Sequence, residues 1–102
     1  MTKAFRDEVA EVIGGDPTAG VVLSAEHAFN LLPSGWTWPA EDAWICQTHW
    51  AFDLGVEDIV RAMAAHLGAP AVLACYSRLL ADPNRIASSD MLFRNLQAWP
   101  ME

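Results

Sequence analysis

Three stretches of this chain carry residues that could do chemistry together: Glu26-His27, Asp53, and Arg78 with Asn84-Arg85. An imidazole beside carboxylates suits zinc, a borderline-soft cation that accepts nitrogen and oxygen donors alike. His27 follows directly on an apolar run, and Glu26 beside it and Asp53 further along are the carboxylates at hand. Taken alone, a histidine in a loop is more often a hydrogen-bonded surface group than a metal ligand. Arg78 and Arg85 suit a different partner, because a guanidinium fork takes a carboxylate through two parallel hydrogen bonds. The Asn84 amide adds a donor. Asp82-Pro83-Asn84 is also good turn chemistry, so the same stretch serves equally as a capped turn in which Asp82 pairs with either arginine and holds it in place. His49 could stand behind a metal ligand. His66, near a helix carboxyl end, reads as a surface residue matched to the helix dipole.

These groups work together only if the fold gathers them. Thr2 to Ile13 reads as a helix, capped by Thr2, with Phe5, Val9, Val12 and Ile13 at helical spacing and Gly14-Gly15 and Asp16-Pro17 as its stop. Gly20 to Ser24 is a short β-branched run that reads as a buried parallel strand. Residues 25–47 form a long connection holding Pro33, Gly35, Pro39 and the aromatics Trp36, Trp38 and Trp44. This stretch either lines a substrate cleft or plugs the sheet from above, the plug being the reading preferred. From His49 to Leu67 the pattern is helical, with Leu54, Val56, Ile59, Val60, Met63, Ala64 and Leu67 on one broad face, Gly68 as the stop and Pro70 beyond it. Ala71 to Tyr76 is a second buried strand. Strand, loop, helix and strand make a βαβ unit, for which parallel pairing and a right-handed crossover are expected. Ser77 to Arg85 is polar and broken by Asp82-Pro83, and residues 86–102 have no strong period. Parallel strands put the segments after Ser24 and after Tyr76 at the same sheet edge, and the start of the helix returns there. Ligands of open α/β sheets bind beyond that edge. The topology therefore predicts that His27, Asp53 and the Arg78–Arg85 segment converge.

Bulk properties narrow the function classes. The 102 residues suffice for one domain at most, and 53% hydrophobic with 19% charged residues is a globular profile. Thirteen acidic against six basic residues give a net charge of -7, which disfavours nucleic acid as a partner. Arg78, Arg85 and Arg94 are half of the cations and lie close together, which fits either a small anion or ordinary surface arginines. Cys46 and Cys75 have no CxxC spacing, so a thiolate zinc site is excluded and a reducing compartment expected. Lys3, Arg6, Asp7 and Glu8 interrupt any apolar leader, and no stretch is long enough to span a bilayer. A cytoplasmic protein without membrane contact is expected.

The strings Ser-Ala-Glu-His-Ala-Phe-Asn (24–30), His-Trp-Ala-Phe-Asp-Leu-Gly (49–55) and Ser-Arg-Leu-Leu-Ala-Asp-Pro-Asn-Arg (77–85) occur in that order. Each resembles the corresponding block of the N-formylglutamate amidohydrolase family, and Ser89-Asp90 with Asn95 resembles the weaker block that follows. The resemblance runs from about residue 20 to 95. That family is similar in fold to zinc carboxypeptidases and aspartoacylase. The resemblance therefore implies an α/β chain forming the βαβ-containing part of a three-layer α/β/α zinc-hydrolase-like fold with a mostly parallel sheet.

Carried over, the resemblance makes His27 the first zinc ligand, Asn84-Arg85 the clamp for a substrate carboxylate, and Arg78 a support for the clamp or a group that polarises the scissile carbonyl. The relatives place an acidic ligand three residues after the first histidine, but that position is Asn30 here. Asp53 is preferred instead, with Glu26 as its rival. The relatives draw a further histidine ligand and a general-base glutamate from the later half of the domain. Neither His49 nor His66 fits that ligand, so residues 1–102 are expected to form a single, partial domain with an incomplete site. The expected function is zinc-dependent hydrolysis of an amide in a small acidic substrate such as N-formylglutamate. The alternative is a non-catalytic fragment or small-anion binding module without tight metal binding, whose open strand edge favours self-association.

Overall fold

A computed structural model describes residues 8–89. Three short strands and one α-helix form its frame: β1 (Ala10–Ile13), β2 (Leu23–Ala25), α1 (Val56–Leu67) and β3 (Ala71–Ala74), with a 3-10 helix at Ala40–Gln47 in the long connection. The sheet order is β1-β3-β2, so the last strand lies in the middle. β2 and β3 pair in parallel, with Leu23 opposite Ala71 and Ala25 opposite Leu73. The predicted strand–loop–helix–strand unit is thus present, with α1 in the crossover. Beyond the strands, a parallel bridge joins Leu31 to Tyr76, and the Ser77 amide donates to the Leu31 carbonyl at 2.8 Å.

The expected helix at Thr2–Ile13 is corrected over its described part. Ala10–Ile13 is a strand, antiparallel to β3, with Val12 opposite Val72 and Ile13 opposite Ala71. Its residues 2–7 lie outside the described range. In so short a segment Val9, Val12 and Ile13 satisfy a helical or a strand pattern about equally, and the open hydrogen-bonding edge of β3 decides between them. The sheet is therefore mixed, one pair parallel and one antiparallel. Glu11 shares the α1 side of the sheet with its register partner Leu73. Its charge is met there by Arg61 of α1, whose two terminal nitrogens each donate to one Glu11 oxygen at 2.8 Å, while Nε donates to Glu57 at 2.9 Å. Gly14 and Gly15 then lead the chain across the α1–β3 junction. A side chain at Gly15 would collide with the Ala69 and Pro70 backbone, and the Asp16 amide donates to the Gly68 carbonyl at 2.7 Å.

Three other boundaries shift, and the first is that β3 ends at Ala74 and not at Tyr76. β2 begins at Leu23, after Val21 and Val22, which are exposed. The helix predicted from His49 starts only at Val56, because Gly55 sits at φ +85° and breaks the helical path, and residues 49–55 form turns. At its other end Gly68 (φ +64°) closes the helix as expected, its amide bonding the Ala64 carbonyl.

The core has two parts. Val60 and Ala64 of α1 pack on Ala25, Ala28, Ala71 and Leu73, with Ile13, Leu23, Phe29 and Val56 at the margin. Ile45, Ala51 and Leu79 form a second cluster under Trp38 and Phe52. Trp38 thus packs over this second cluster and not over the strands themselves, and Trp36 and Trp44 are exposed. α1 covers one sheet face. On the other, the register partners Val12 and Val72 are exposed, so the described residues form two layers. No helix among them is long and apolar enough to cross a membrane.

Candidate functional site

The carboxyl ends of β2 and β3 deliver the site. β2 ends at Ala25, and two residues later His27 is buried at 8% exposure. Beyond the end of β3 at Ala74 the chain continues through Cys75 and Tyr76 to Ser77, which is fully buried. Its hydroxyl donates to the Ala51 carbonyl at 2.8 Å and accepts from the Leu79 amide at 3.2 Å. That contact ties the 49–53 segment to the end of β3. The Asp53 amide in turn donates to the His27 carbonyl at 2.8 Å. Asp53 therefore reaches His27 from the turn that precedes α1 and not from the helix itself.

His27 stands between two carboxylates. Its Nε2 is 2.7 Å from Asp82 Oδ1, and its Nδ1 is 3.4 Å from Asp53 Oδ2. Asp82 is buried at 3% exposure, whereas the Asp53 side chain is 53% exposed. Asp82 also accepts from the Asn84 amide at 3.0 Å on Oδ1 and from Arg78 Nη2 at 3.2 Å on Oδ2, with Arg85 Nε 3.7 Å from Oδ2. Burial pushes the Asp82 carboxyl up, but the hydrogen bonds from His27 and Asn84 and the charges of His27 and Arg78 outweigh it and hold the group below the usual carboxylate range. An ionised Asp82 fixes the histidine's donor, since a carboxylate only accepts, so Nε2 carries a proton.

That assignment leaves Nδ1 of a neutral His27 with a lone pair aimed at the Asp53 carboxylate. Two acceptors at 3.4 Å are accommodated by a second proton on the ring, by a cation between them, or by solvent, which reaches the half-exposed Asp53. Two ligand atoms of a tetrahedral zinc with bonds of about 2.0–2.1 Å lie about 3.3–3.4 Å apart. The pair His27 Nδ1 and Asp53 Oδ2 thus fits one edge of such a shell, with Asp82 as the carboxylate behind the histidine that metal sites use to orient it. Among the described residues no group of three or more His, Cys, Asp or Glu side chains could hold a metal.

The other residues expected at the site fall into place unequally. Arg78 and Arg85 stand against Asp82 with their side chains 29% and 42% exposed, and Asn84 is exposed beside them. Two guanidiniums facing one carboxylate leave an excess of positive charge in a chain of net charge -7. The turn reading of this segment also holds, since the Arg85 amide donates to the Asp82 carbonyl at 3.0 Å. Glu26 is exposed and accepts from the Ser24 hydroxyl at 3.2 Å, and the ring of His27 contacts Asp53 and Asp82 instead. His49 stacks at a tilt on Trp50, and His66 lies exposed in the last turn of α1. Arg94, Asp90 and Asn95 lie outside the described residues. The residue whose role the sequence did not disclose is Asp82. It reads there as a partner for arginine, and its stronger bond is to a histidine 55 positions away.

Comparison with known proteins follows the geometry. A crystal structure of a gene product from Agrobacterium tumefaciens superposes with a TM-score of 0.65 at 25% identity, covering 87% of this chain. The chain spans only 36% of the length of that protein. No curated protein matches it. The sequence matches the N-formylglutamate amidohydrolase family over residues 19–99, which takes in His27, Asp53, Arg78 and the Asp82–Arg85 turn, and the chain belongs to that family.

Proposed function

We propose that this chain carries the metal edge and the substrate clamp of a zinc-dependent amidohydrolase acting on a small acidic substrate such as N-formylglutamate. The observation that supports it most is the position of His27, with an orienting carboxylate on Nε2 and a second carboxylate at ligand spacing from Nδ1. In this reading His27 and Asp53 hold the metal, and Glu26 is the rival carboxylate. Bound zinc would lower the pKa of a coordinated water to about 7 and polarise the scissile carbonyl.

The chain's own residues do the rest. Asp82 keeps the proton on Nε2 and so leaves the Nδ1 lone pair free to bind. Arg85 and Asn84 take the substrate carboxylate, which orients the amide toward the metal edge and removes the cost of aligning it in solution. Arg78, held by Asp82 Oδ2, supports the clamp or donates to the amide oxygen as charge develops on it. A third metal ligand and the general base come from donors outside the described residues, and the opposite sheet face is covered by a further layer in the complete three-layer fold.

Calorimetric zinc titration of the chelator-stripped chain, followed by assay of N-formylglutamate hydrolysis, tests the proposal. Zinc binding that weakens in His27→Ala and in Asp53→Ala supports it. Zinc affinity unchanged in both variants overturns the ligand assignment.

A further inference from the structure

Asp82 does not treat its two oxygens alike. Oδ1 makes the short contacts, 2.7 Å to His27 Nε2 and 3.0 Å to the Asn84 amide, deep in the protein. Oδ2 makes the long ones, 3.2 Å to Arg78 Nη2 and 3.7 Å to Arg85 Nε, the second beyond hydrogen-bonding distance. The groups on the Oδ2 side belong to half-exposed side chains, and those on the Oδ1 side are buried or part of a turn. One carboxylate therefore joins a fixed half to an exchangeable half.

We infer that Asp82 couples anion capture by Arg78 and Arg85 to the state of the His27 ring. The inference rests on the reading of these arginines as a carboxylate clamp. When a ligand carboxylate takes up guanidinium N–H groups, Oδ2 loses donors and part of the charge that neutralised it. Asp82 becomes a stronger acceptor for the bond that remains, Nε2–H of His27. A tighter bond there holds the ring more firmly in the orientation that turns Nδ1 toward Asp53, as a carboxylate behind a histidine does in metal sites. Substrate binding would in this way prepare the histidine 55 positions away without touching it. Linkage makes the effect reciprocal, so whatever strengthens the His27–Asp82 bond also changes the affinity for the anion. Asp82 is thus a positioning residue, acting through His27 on one side and the arginines on the other.

The ring nitrogens of the three histidines can be followed by long-range proton–nitrogen spectra of the full chain, metal-free and at constant pH, during a titration with glutarate. His27 is assigned through His27→Gln, and His49 and His66 serve as internal references. The expected result is a saturable shift of the His27 nitrogens that follows glutarate binding. In Asp82→Asn the chain still binds glutarate, but the His27 shift is lost. Glutarate binding to the wild-type chain with no response at His27 overturns the coupling and leaves the clamp reading intact. A full His27 response in Asp82→Asn overturns it too, because the signal would then bypass the carboxylate. Absence of glutarate binding to the wild-type chain overturns both the clamp and the coupling. Should Asp82→Asn fail to fold, Arg78→Gln breaks the shorter Oδ2 contact from the exposed side. The His27 shift at saturation should then shrink, and an undiminished shift overturns the inference.

Discussion

His27 and Asp82 share a 2.7 Å contact between Nε2 and Oδ1, made by two buried side chains that enter from the carboxyl ends of adjacent parallel strands. This pair joins the first and third sequence blocks into one site. It also orders what else follows, since the same carboxylate receives the arginines and the same imidazole faces Asp53.

Acid should loosen the fold through this pair. The folded Asp82 pKa lies below its ordinary value of 3.8, so its contribution to stability is fully present above that value and lost as pH falls through the folded one. Urea unfolding followed by tryptophan fluorescence is expected to show a midpoint that drops as pH falls below about 4. Asp82→Asn should remove that part of the pH dependence. It should also cost about 1–3 kcal/mol at neutral pH, because it weakens a buried charged hydrogen bond.

Zinc affinity should respond to three side chains in two ways. His27→Ala and Asp53→Ala each remove a direct donor and are expected to lower affinity at least as much as loss of the orienting partner. Asp82→Asn should cost about 10–100-fold, the usual effect of removing the carboxylate behind a metal-bound histidine. Glu26→Ala should leave affinity unchanged, and a loss there would transfer the ligand role to Glu26. Calorimetry at one pH measures all four.

Arg85→Ala is expected to weaken binding of N-formylglutamate by about 10–100-fold, the loss of a charge-assisted hydrogen bond or two. Arg85→Lys should recover only part of it, because an ammonium keeps the charge and loses the fork. Full recovery by lysine would show that the position supplies charge alone.

Arg61 and Glu11 pin the edge strand to the helix. Both are partly exposed, so the pair is worth about 0.5–1 kcal/mol in spite of its two-pronged geometry. A double-mutant cycle with Arg61→Ala and Glu11→Ala, read from unfolding midpoints, should give a coupling of that size that falls with added salt.

Gly15→Ala should destabilise the chain by about 1–3 kcal/mol, as overpacking does elsewhere. The obstacle is the Ala69–Pro70 backbone, which has no side-chain freedom with which to yield. Gly14→Ala, one residue earlier with open space around an added Cβ, serves as the control in the same thermal unfolding experiment.

The sequence by itself determined the parallel βαβ unit, the closure of α1 at Gly68 and the family. Each follows from local signals: apolar runs of strand length, helical spacing from Val56 to Leu67, a glycine in the left-handed region, and three blocks in order. It also brought the right segments to one edge, since parallel strands leave no other place for them. Tertiary structure alone decided the remainder. Ala10–Ile13 is a strand because β3 has an unfilled edge, which no pattern within Thr2–Ile13 reports. Asp53 lies ahead of α1 because Gly55 turns the chain there, although the apolar spacing continues through it. Asp82 reads locally as a turn residue with arginines nearby, and its bond to His27 exists only once two strand ends have been set side by side. Local sequence encodes propensity over a few residues. The partner of a buried charge is set by whichever group the finished fold brings within 3 Å of it.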